Sequence, residues 1–187
     1  MLRATSVSGH DRLRLFVALR LPGETVARLV AWQASELAGS DARLVPEGNL
    51  HVTLAFLGSR PAADVDAVLG VVRAVADRAE RPTLEPARYR ETRSVGMLAL
   101  ADEDGRATSI AEGVGEGLEQ LGVYRRERRE WLPHVTVLRF RRPPRLRPRL
   151  PDLGRVSPSE AALYHSVLRP TGAQYEIVES VVLGGKS

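Results

Sequence analysis

The sequence predicts an α+β fold with antiparallel sheets, and three observations lead to this expectation. Predicted strands outnumber predicted helices, and the two do not alternate strictly as a doubly wound parallel sheet requires. The phrase His-Val-Thr occurs twice, at 51–53 and 134–136, each time in a predicted strand that follows a predicted helix. With 187 residues, 43% of them hydrophobic, the chain is long enough to bury a sizeable core.

The predicted strands are short apolar runs bounded by turn residues. The first, LRLFVALRL, ends at Pro22-Gly23, and the fourth closes on the turn at 102–105. In chain order, strands are predicted at 13–21, 50–58, 83–92, 94–102, 131–140, 160–168 and 174–183.

Three helices are predicted from apolar residues at helical spacing. The clearest covers 61–82, and the others cover 24–39 and 107–123. The helix at 107–123 has three closely spaced glycines in its middle, Gly113, Gly115 and Gly117, which lower its helical propensity. The apolar face of the clearest helix consists of Val65, Val68, Leu69, Val72 and Val75.

Composition excludes several kinds of site. The chain has no cysteine, so disulfides, thiolate metal ligands and cysteine nucleophiles are absent, which is consistent with a protein of the reducing cytoplasm. No segment approaches the length of an apolar membrane span, so no membrane association is expected. We expect residues 1–12 to form a disordered tail and residues 13–187 to form a single domain that acts as a monomer.

The positive charge is nearly all arginine. The net charge is +4, and Lys186 is the only lysine. Arginine offers a planar fork of donors that suits phosphate oxygens, so a polyanionic partner is favoured. Five arginines lie within the segment RRPPRLRPR at 141–149. Two interpretations of this segment stay open: a patch that tracks RNA, and a solvated linker kept extended by its prolines.

The repeated phrase can present catalytic groups on one face of each strand. Side chains at i and i+2 of a strand share a face, so His51 lies beside Thr53 while Val52 and Leu54 point to the core. In the second copy His134 and Thr136 share a face, and Val135 and Val137 lie opposite. Arg139, five residues after His134, falls on the other face unless a twist or bulge turns it round.

Two imidazoles that meet across a cleft can act as acid and base for an in-line displacement at phosphorus. The threonine hydroxyls and Arg139 would then hold the non-bridging oxygens. Two histidines without a nearby carboxylate or thiolate make a poor zinc site, so we expect neither a metal nor a cofactor. The chain also has no glycine-rich phosphate loop and no Gly-x-Ser-x-Gly elbow.

The motifs resemble those of the two-histidine phosphoesterase superfamily. The first continues into Phe-Leu-Gly ("HVTLAFLG"), and the second is preceded by proline and followed by arginine ("PHVTVLR"). The most similar branch is the RNA 2′,3′-cyclic phosphodiesterases, also called 2′-5′ RNA ligases. The resemblance covers most of the chain, from RLFVALRLP at 14–22 to LYHSVLRPTGAQYEIV at 163–178, which is similar to the family's Ser-x-Leu and Gly-x-x-Tyr pattern.

This resemblance implies a bilobal fold with two antiparallel sheets, flanking helices and pseudo-two-fold related lobes around a central cleft. The implied reaction is hydrolysis of RNA 2′,3′-cyclic phosphate ends to a 2′-phosphate, without metal or ATP. His51 matches the proton donor, His134 the proton acceptor, and Thr53, Thr136 and Arg139 the phosphate-binding residues. The reverse reaction would join tRNA fragments through a 2′-5′ linkage.

Other functions stay open on the sequence alone. A smaller cyclic phosphate, of a nucleoside or of ADP-ribose, would need the same chemistry in a closed pocket. A non-catalytic RNA-binding module would need neither imidazole, and an interaction protein is supported only by the proline-rich segment. Trp131 and Tyr175 are candidates for base stacking, although core packing is the simpler role, and Phe56 is expected in the core. His165 is expected at a surface or sheet edge.

Overall fold

The computed structural model describes residues 11–39, 41–170 and 172–185. Eight strands form one antiparallel sheet in the order β4-β5-β6-β3-β1-β7-β8, with β2 paired to β6. The α+β class and the antiparallel pairing are confirmed, but the strands make a single continuous sheet rather than two. The strands are β1 Arg12–Arg20, β2 Arg43–Leu44, β3 His51–Pro61, β4 Glu85–Glu91, β5 Val95–Ala101, β6 His134–Arg139, β7 Glu160–Arg169 and β8 Gly172–Val182.

The sheet is continuous only through a narrow junction between β3 and β6. These strands share one register pair in the described chain, Val52 with Val135, whereas β1 and β3 pair over nine residues of β1. Further along β6, the neighbour on this side changes to β2, which pairs Arg43 with Arg139. The two motif strands therefore touch at their motifs and then diverge, which leaves space for a cleft.

Helices α1 (Gly23–Trp32), α2 (Val65–Ala76) and α3 (Arg106–Gln120) cover one face of the sheet. The helical hydrogen bonding of α1 continues as a π-helix over Gln33–Leu37. Gly117 of α3 has a packing reason, because a Cβ there would lie 2.5 Å from Val71 of α2. Asp102 accepts hydrogen bonds from the backbone N–H groups of Ala107 and Thr108 and so caps α3.

The two faces of the sheet are packed differently. The helix-covered face carries the main core, in which Leu15, Val17 and Val52 are fully buried. The opposite face carries a small second cluster made of Phe16, Ala18, Ala162 and Tyr164, with Tyr175 packed against it. The cleft lies on this second face, because its lining includes Phe16 and Tyr175.

The element boundaries agree with the predictions to within a few residues, with three exceptions. The short strand β2 was not predicted, because two residues give no periodicity. The last turns of the helix predicted at 61–82 are non-helical after Ala76. The tail predicted at 1–12 lies mostly outside the described residues, and Arg12 already belongs to β1. No helix in the described part of the chain is long and apolar enough to cross a membrane.

Candidate active site

The two motifs meet around the Val52–Val135 pair. In an antiparallel register this pair places His51 opposite Thr136 and Thr53 opposite His134. Both valines are buried in the core, so the histidines and threonines project together from the other face. Each histidine thus faces the threonine of the other motif, and the two histidines occupy diagonal positions, where side chains lie about 7–8 Å apart. The arrangement has a local pseudo-two-fold symmetry.

Arg139 reaches the same face because β6 contains a bulge. Between Gly96 and Met97 of β5, the register on β6 jumps from Leu138 to Thr136, so β6 has one extra residue. Val137 and Leu138 are consequently both buried, and Arg139 returns to the face of His134. Arg139 lines the cleft with Thr136, which agrees with the requirement for a bulge that the sequence raised.

The first motif strand, β3, also contains a bulge. The register between β1 and β3 jumps from Ala55 to Thr53, and Leu54 and Ala55 are both buried. Phe56 therefore lies on the His51 face, 48% exposed, and lines the cleft. The expectation that Phe56 packs in the core is wrong, because strict alternation ignores the bulge. Phe56 and Arg139 occupy equivalent positions, five residues after their histidines.

A buried glutamine supports the bulge of β6. Gln33 is 2% exposed and donates from Nε2 to the carbonyl oxygens of Val137 at 2.7 Å and Val45 at 3.1 Å. The carbonyl of Val137 also accepts a hydrogen bond from the backbone N–H of Val45 at 3.0 Å. Sequence reasoning did not single out Gln33. Its only signal was a polar residue within the apolar pattern of the helix predicted at 24–39.

The cleft has a volume of about 430 Å³. One wall comes from the β7–β8 hairpin and contains the Ser-x-Leu and Gly-x-x-Tyr residues: Ser166, Leu168, Gly172 and Tyr175. Asn49 ties this hairpin to the start of β3 by donating from Nδ2 to the carbonyl of Ala173 at 2.8 Å. The charged groups of the lining are three arginines, Arg14, Arg43 and Arg139, and the lining includes no described carboxylate. The cleft therefore suits an anion.

His51 is held in an apolar setting. Its ring centroid lies 4.9 Å from that of Phe16 and 5.5 Å from that of Tyr175, and its Nε2 lies 3.0 Å from Thr53 Oγ1. Burial lowers the pKa of His51 to about 4, and the positive charges of His134 and Arg139 act in the same direction. A backbone hydrogen bond at Asn49 opposes this shift. In the empty cleft His51 is therefore neutral near neutral pH.

His134 has a defined ring orientation. Its Nδ1 donates to the carbonyl oxygen of Leu132 at 2.8 Å, which leaves Nε2 as the nitrogen with a free lone pair when the ring is neutral. His134 is partly buried and is not part of the surface that lines the 430 Å³ cavity. The neighbouring Trp131 donates from Nε1 to the carbonyl oxygen of Thr53 at 3.0 Å, which connects the two motif strands.

The remaining candidates from the sequence have clear positions. Tyr175 is in the cleft, edge-on to the ring of His51. Trp131 packs against the core and binds the motif strand. His165 pairs with the core residue Leu15 and lies on the helix-covered face, away from the cleft. The described residues contain no group of three His, Cys, Asp or Glu side chains that could hold a metal ion.

The chain is similar to several known proteins. A family model described as LigT-like phosphoesterase matches residues 19–89. A Thermus thermophilus protein named RNA 2′,3′-cyclic phosphodiesterase is 32% identical over 186 residues, which cover 93% of this chain and 92% of that protein. A Methanocaldococcus jannaschii protein of the same name is 25% identical over 179 residues, which cover 89% of this chain and 99% of that protein.

Solved structures share the fold. A crystal structure of a Thermus thermophilus protein superposes with a TM-score of 0.79 at 30% identity and covers 94% of this chain and 100% of its own. Escherichia coli LigT complexed with 3′-AMP superposes with a TM-score of 0.80 at 23% identity over 94% of this chain and 100% of its own. These similarities place the chain among the two-histidine phosphoesterases, and it belongs to their LigT-like family.

Proposed function

We propose that this protein hydrolyses RNA 2′,3′-cyclic phosphate ends to 2′-phosphates by metal-free acid–base catalysis between His51 and His134. The observation that carries the proposal is the diagonal placement of the two histidines around the Val52–Val135 pair. An in-line displacement needs a base on one side of phosphorus and an acid on the other, and this diagonal supplies both. The names of the relatives that cover nearly the whole chain support the same reaction.

In the proposed reaction a water molecule attacks phosphorus on the side of His134. Nε2 of His134 takes a proton from the water as the new P–O bond forms, and the hydrogen bond from Nδ1 to Leu132 keeps the ring in the correct tautomer. The bond between phosphorus and O3′ breaks, and His51 gives a proton to O3′. The product carries a 2′-phosphate and a free 3′-hydroxyl.

Thr53, Thr136 and Arg139 would hold the non-bridging oxygens. Each threonine lies opposite the histidine of the other motif, so hydroxyl donors reach the phosphate from both motif strands. Arg139 adds a charge-assisted donor at the same face. These groups are positioned before the substrate arrives, so they stabilise the charge that develops in the transition state with little reorganisation.

The acid role requires His51 to gain a proton when substrate binds. With a pKa of about 4 in the empty cleft, roughly one His51 ring in a thousand is protonated at neutral pH. A phosphodiester anion beside the ring favours the charged form and raises this pKa. Binding of the substrate and protonation of His51 are therefore coupled, and the cleft becomes competent for catalysis only when it is occupied.

The same displacement run backwards would join RNA ends through a 2′-5′ linkage, with a 5′-hydroxyl in place of water. Fragments of tRNA are suitable substrates, and we propose a cytoplasmic monomer in keeping with the cysteine-free composition. A second candidate function is hydrolysis of a small cyclic phosphate. The cleft volume of about 430 Å³ favours it, because this is the size of a typical small-molecule pocket.

The test uses a short oligoribonucleotide that ends in a 2′,3′-cyclic phosphate, incubated in EDTA. Wild type should open it to the 2′-phosphate, and His51→Ala and His134→Ala should each lose about 10²–10⁴-fold in kcat. His165→Ala is the matched control, because this histidine lies on the other face of the sheet and should leave kcat unchanged. Products are identified by mass and by assignment of the 2′- or 3′-phosphate.

Each outcome has a distinct meaning. Activity that disappears in EDTA contradicts a metal-free mechanism. Loss of activity in the His165 variant as well would indicate damage to the fold rather than to catalysis. Opening of 2′,3′-cyclic AMP without opening of the oligoribonucleotide would favour the second candidate. Binding of the RNA without opening would indicate a non-catalytic module.

A further inference from the structure

An arginine-rich segment follows the cleft residue Arg139 in the chain. We call Arg141, Arg142, Arg145, Arg147 and Arg149 the arginine track. All five are exposed, and no acidic residue occurs between Phe140 and Pro151. The segment has no regular secondary structure, so its order has to come from other contacts.

The backbone of the track is fixed by two glutamates and a tryptophan. The carboxylate of Glu91 accepts hydrogen bonds from the N–H groups of Arg145 and Leu146, both at 2.8 Å. At the other end, Glu36 accepts from the N–H of Arg149 at 3.0 Å, and Trp32 Nε1 donates to the carbonyl of the same residue at 2.7 Å. Arg145 has a left-handed backbone (φ 58°), which this capping by Glu91 stabilises. The segment is therefore held in place, unlike a solvated linker.

The guanidinium groups of the track have no partner in the described part of the chain. None of the five forms a side-chain hydrogen bond or ion pair with a described residue; within the track, Glu91 and Glu36 bind the backbone only. In the basic segment 124–130, by contrast, two of the four arginines form ion pairs. Arg126 pairs with Glu116 and Glu119, and Arg129 with Glu127. Five unpaired arginines on a fixed backbone form a surface prepared for an external polyanion.

The position of the track relates it to the cleft. Arg139 lines the cleft, and the Cα atom of Arg141 lies at most about 7 Å from that of Arg139. Phe140 is buried and donates its N–H to the carbonyl of Ser94 at 3.0 Å, so the chain crosses the start of β5 here. The bonds to Glu91 then bring it to the end of β4. The track therefore leads from the cleft side of β6 past β5 to the edge strand β4, and its last residue, Arg149, lies against α1 on the helix-covered face.

We propose that the arginine track binds the phosphate backbone of the RNA strand that precedes the cyclic end, and so makes RNA of several nucleotides the preferred substrate. This inference rests on the proposed function for the position of the cyclic end. A strand whose terminal phosphate lies between the histidines must leave the cleft, and the Arg139 side offers it a row of unpaired guanidinium groups. Such contacts are sequence-independent and strongly dependent on salt.

The test compares two triple variants of equal charge. Arg141→Gln/Arg142→Gln/Arg147→Gln removes three track side chains without touching the backbone anchors. Arg78→Gln/Arg81→Gln/Arg155→Gln removes three exposed arginines near the end of α2 and the start of β4 and serves as the matched control. For each, kcat/KM is measured on a ribo-dodecamer with a 2′,3′-cyclic phosphate and on 2′,3′-cyclic AMP.

The track variant should lose about tenfold or more in kcat/KM on the dodecamer and stay within about twofold on cyclic AMP. The slope of log K against log salt for dodecamer binding should become shallower by about 2, since each lost contact with a single strand removes about 0.7. The control variant should match wild type on both substrates. Equal losses of kcat/KM in both variants would show that net charge alone causes the effect, which contradicts a specific role of the track. No loss in the track variant would also overturn the proposal.

Binding separates this inference from the proposed function. Fluorescence anisotropy with a dodecamer that ends in a 3′-hydroxyl reports on the track without any chemistry. One outcome is that wild type binds this RNA, the track variant does not, and neither protein opens a cyclic phosphate. The proposed function is then wrong, whereas the inference that the track binds RNA is confirmed. Binding to phosphatidylserine vesicles that only the track variant loses, with RNA binding unchanged, would assign the surface to lipid and overturn the inference.

Discussion

Both motif strands carry the sequence His-Val-Thr, but the two copies have different surroundings in the folded protein. Both His51 and His134 engage the backbone two residues earlier, at Asn49 and Leu132. His51, however, packs among the rings of Phe16, Tyr164 and Tyr175, whereas no aromatic ring contact of His134 occurs among the described residues. Identical local sequence thus receives two environments from the opposite halves of the sheet.

This difference bears on the two chemical roles that we propose for the duplicated phrase. General acid–base catalysis needs one protonated and one neutral imidazole, and a symmetric site would give both rings the same affinity for protons. The aromatic cluster breaks that symmetry by removing water from His51, which disfavours the charged ring in the empty cleft, so the proposed acid role depends on the negative charge of the bound phosphate. The fifth residue after each histidine also departs from the symmetry. This residue is the apolar Phe56 in one half and the charged Arg139 in the other.

The largest difference between the halves is expected at this fifth position. Arg139→Gln should lower kcat/KM about 10–100-fold, because a charge-assisted hydrogen bond contributes about 1.5–3 kcal/mol. Phe56→Leu should cost less than about tenfold, since it removes an aromatic surface but no charge. Steady-state kinetics on 2′,3′-cyclic AMP compares the two without involving a long RNA. Equal losses would show that the two positions are equivalent in function as well as in geometry.

The environment of His51 predicts a dependence of stability on pH. Its pKa falls from 6.5 in the unfolded chain to about 4 in the folded one. Between these values the unfolded chain binds a proton that the folded chain does not, so the free energy of unfolding decreases as pH falls through this window, by about 3 kcal/mol at most. Urea unfolding at a series of pH values measures this slope. The slope should be smaller in His51→Gln, and an unchanged slope would contradict the assignment.

Adding an anion tests the environment of His51 in a second way. Inorganic phosphate should raise the pKa of His51, because it places negative charge beside the ring. NMR titration of the imidazole protons with and without phosphate measures this shift directly. Thr53→Val and Thr136→Val together should weaken it, since fewer donors then hold the anion. A pKa that stays at its phosphate-free value in saturating phosphate would contradict the coupling of substrate binding and protonation.

The smallest expected effect concerns the support of the β6 bulge. Gln33→Leu should lower the free energy of unfolding by about 1–3 kcal/mol, because the buried carbonyls of Val137 and Val45 lose a donor. It should also lower kcat/KM slightly through the misplacement of Arg139. Gln120→Leu, at the exposed end of α3, is the control and should stay within about 0.5 kcal/mol of wild type. Equal destabilisation in both variants would remove the special role of Gln33.

Local patterns in the sequence were sufficient for much of the fold and part of the site. Alternation in the motif strands correctly placed His51 with Thr53 and His134 with Thr136, since side-chain direction in a strand depends only on parity. Helical spacing in 61–82 correctly identified the buried face of α2, in which Val68, Leu69 and Val72 are buried. The pattern failed at Phe56, because a bulge depends on the partner strand and leaves no signal in its own strand.

The sequence by itself therefore determined the α+β class, the paired motifs and the arginine content, because these follow from composition and short-range periodicity. Only the tertiary structure decided that the two motifs meet on a single sheet at one valine pair, that Arg139 turns to the side of His134, and that His51 lies among aromatic rings. Those outcomes depend on contacts between residues far apart in the chain, such as Val52 with Val135 and Gln33 with Val137. Burial and strand register arise from these long-range contacts, and with them the difference between two otherwise identical histidines.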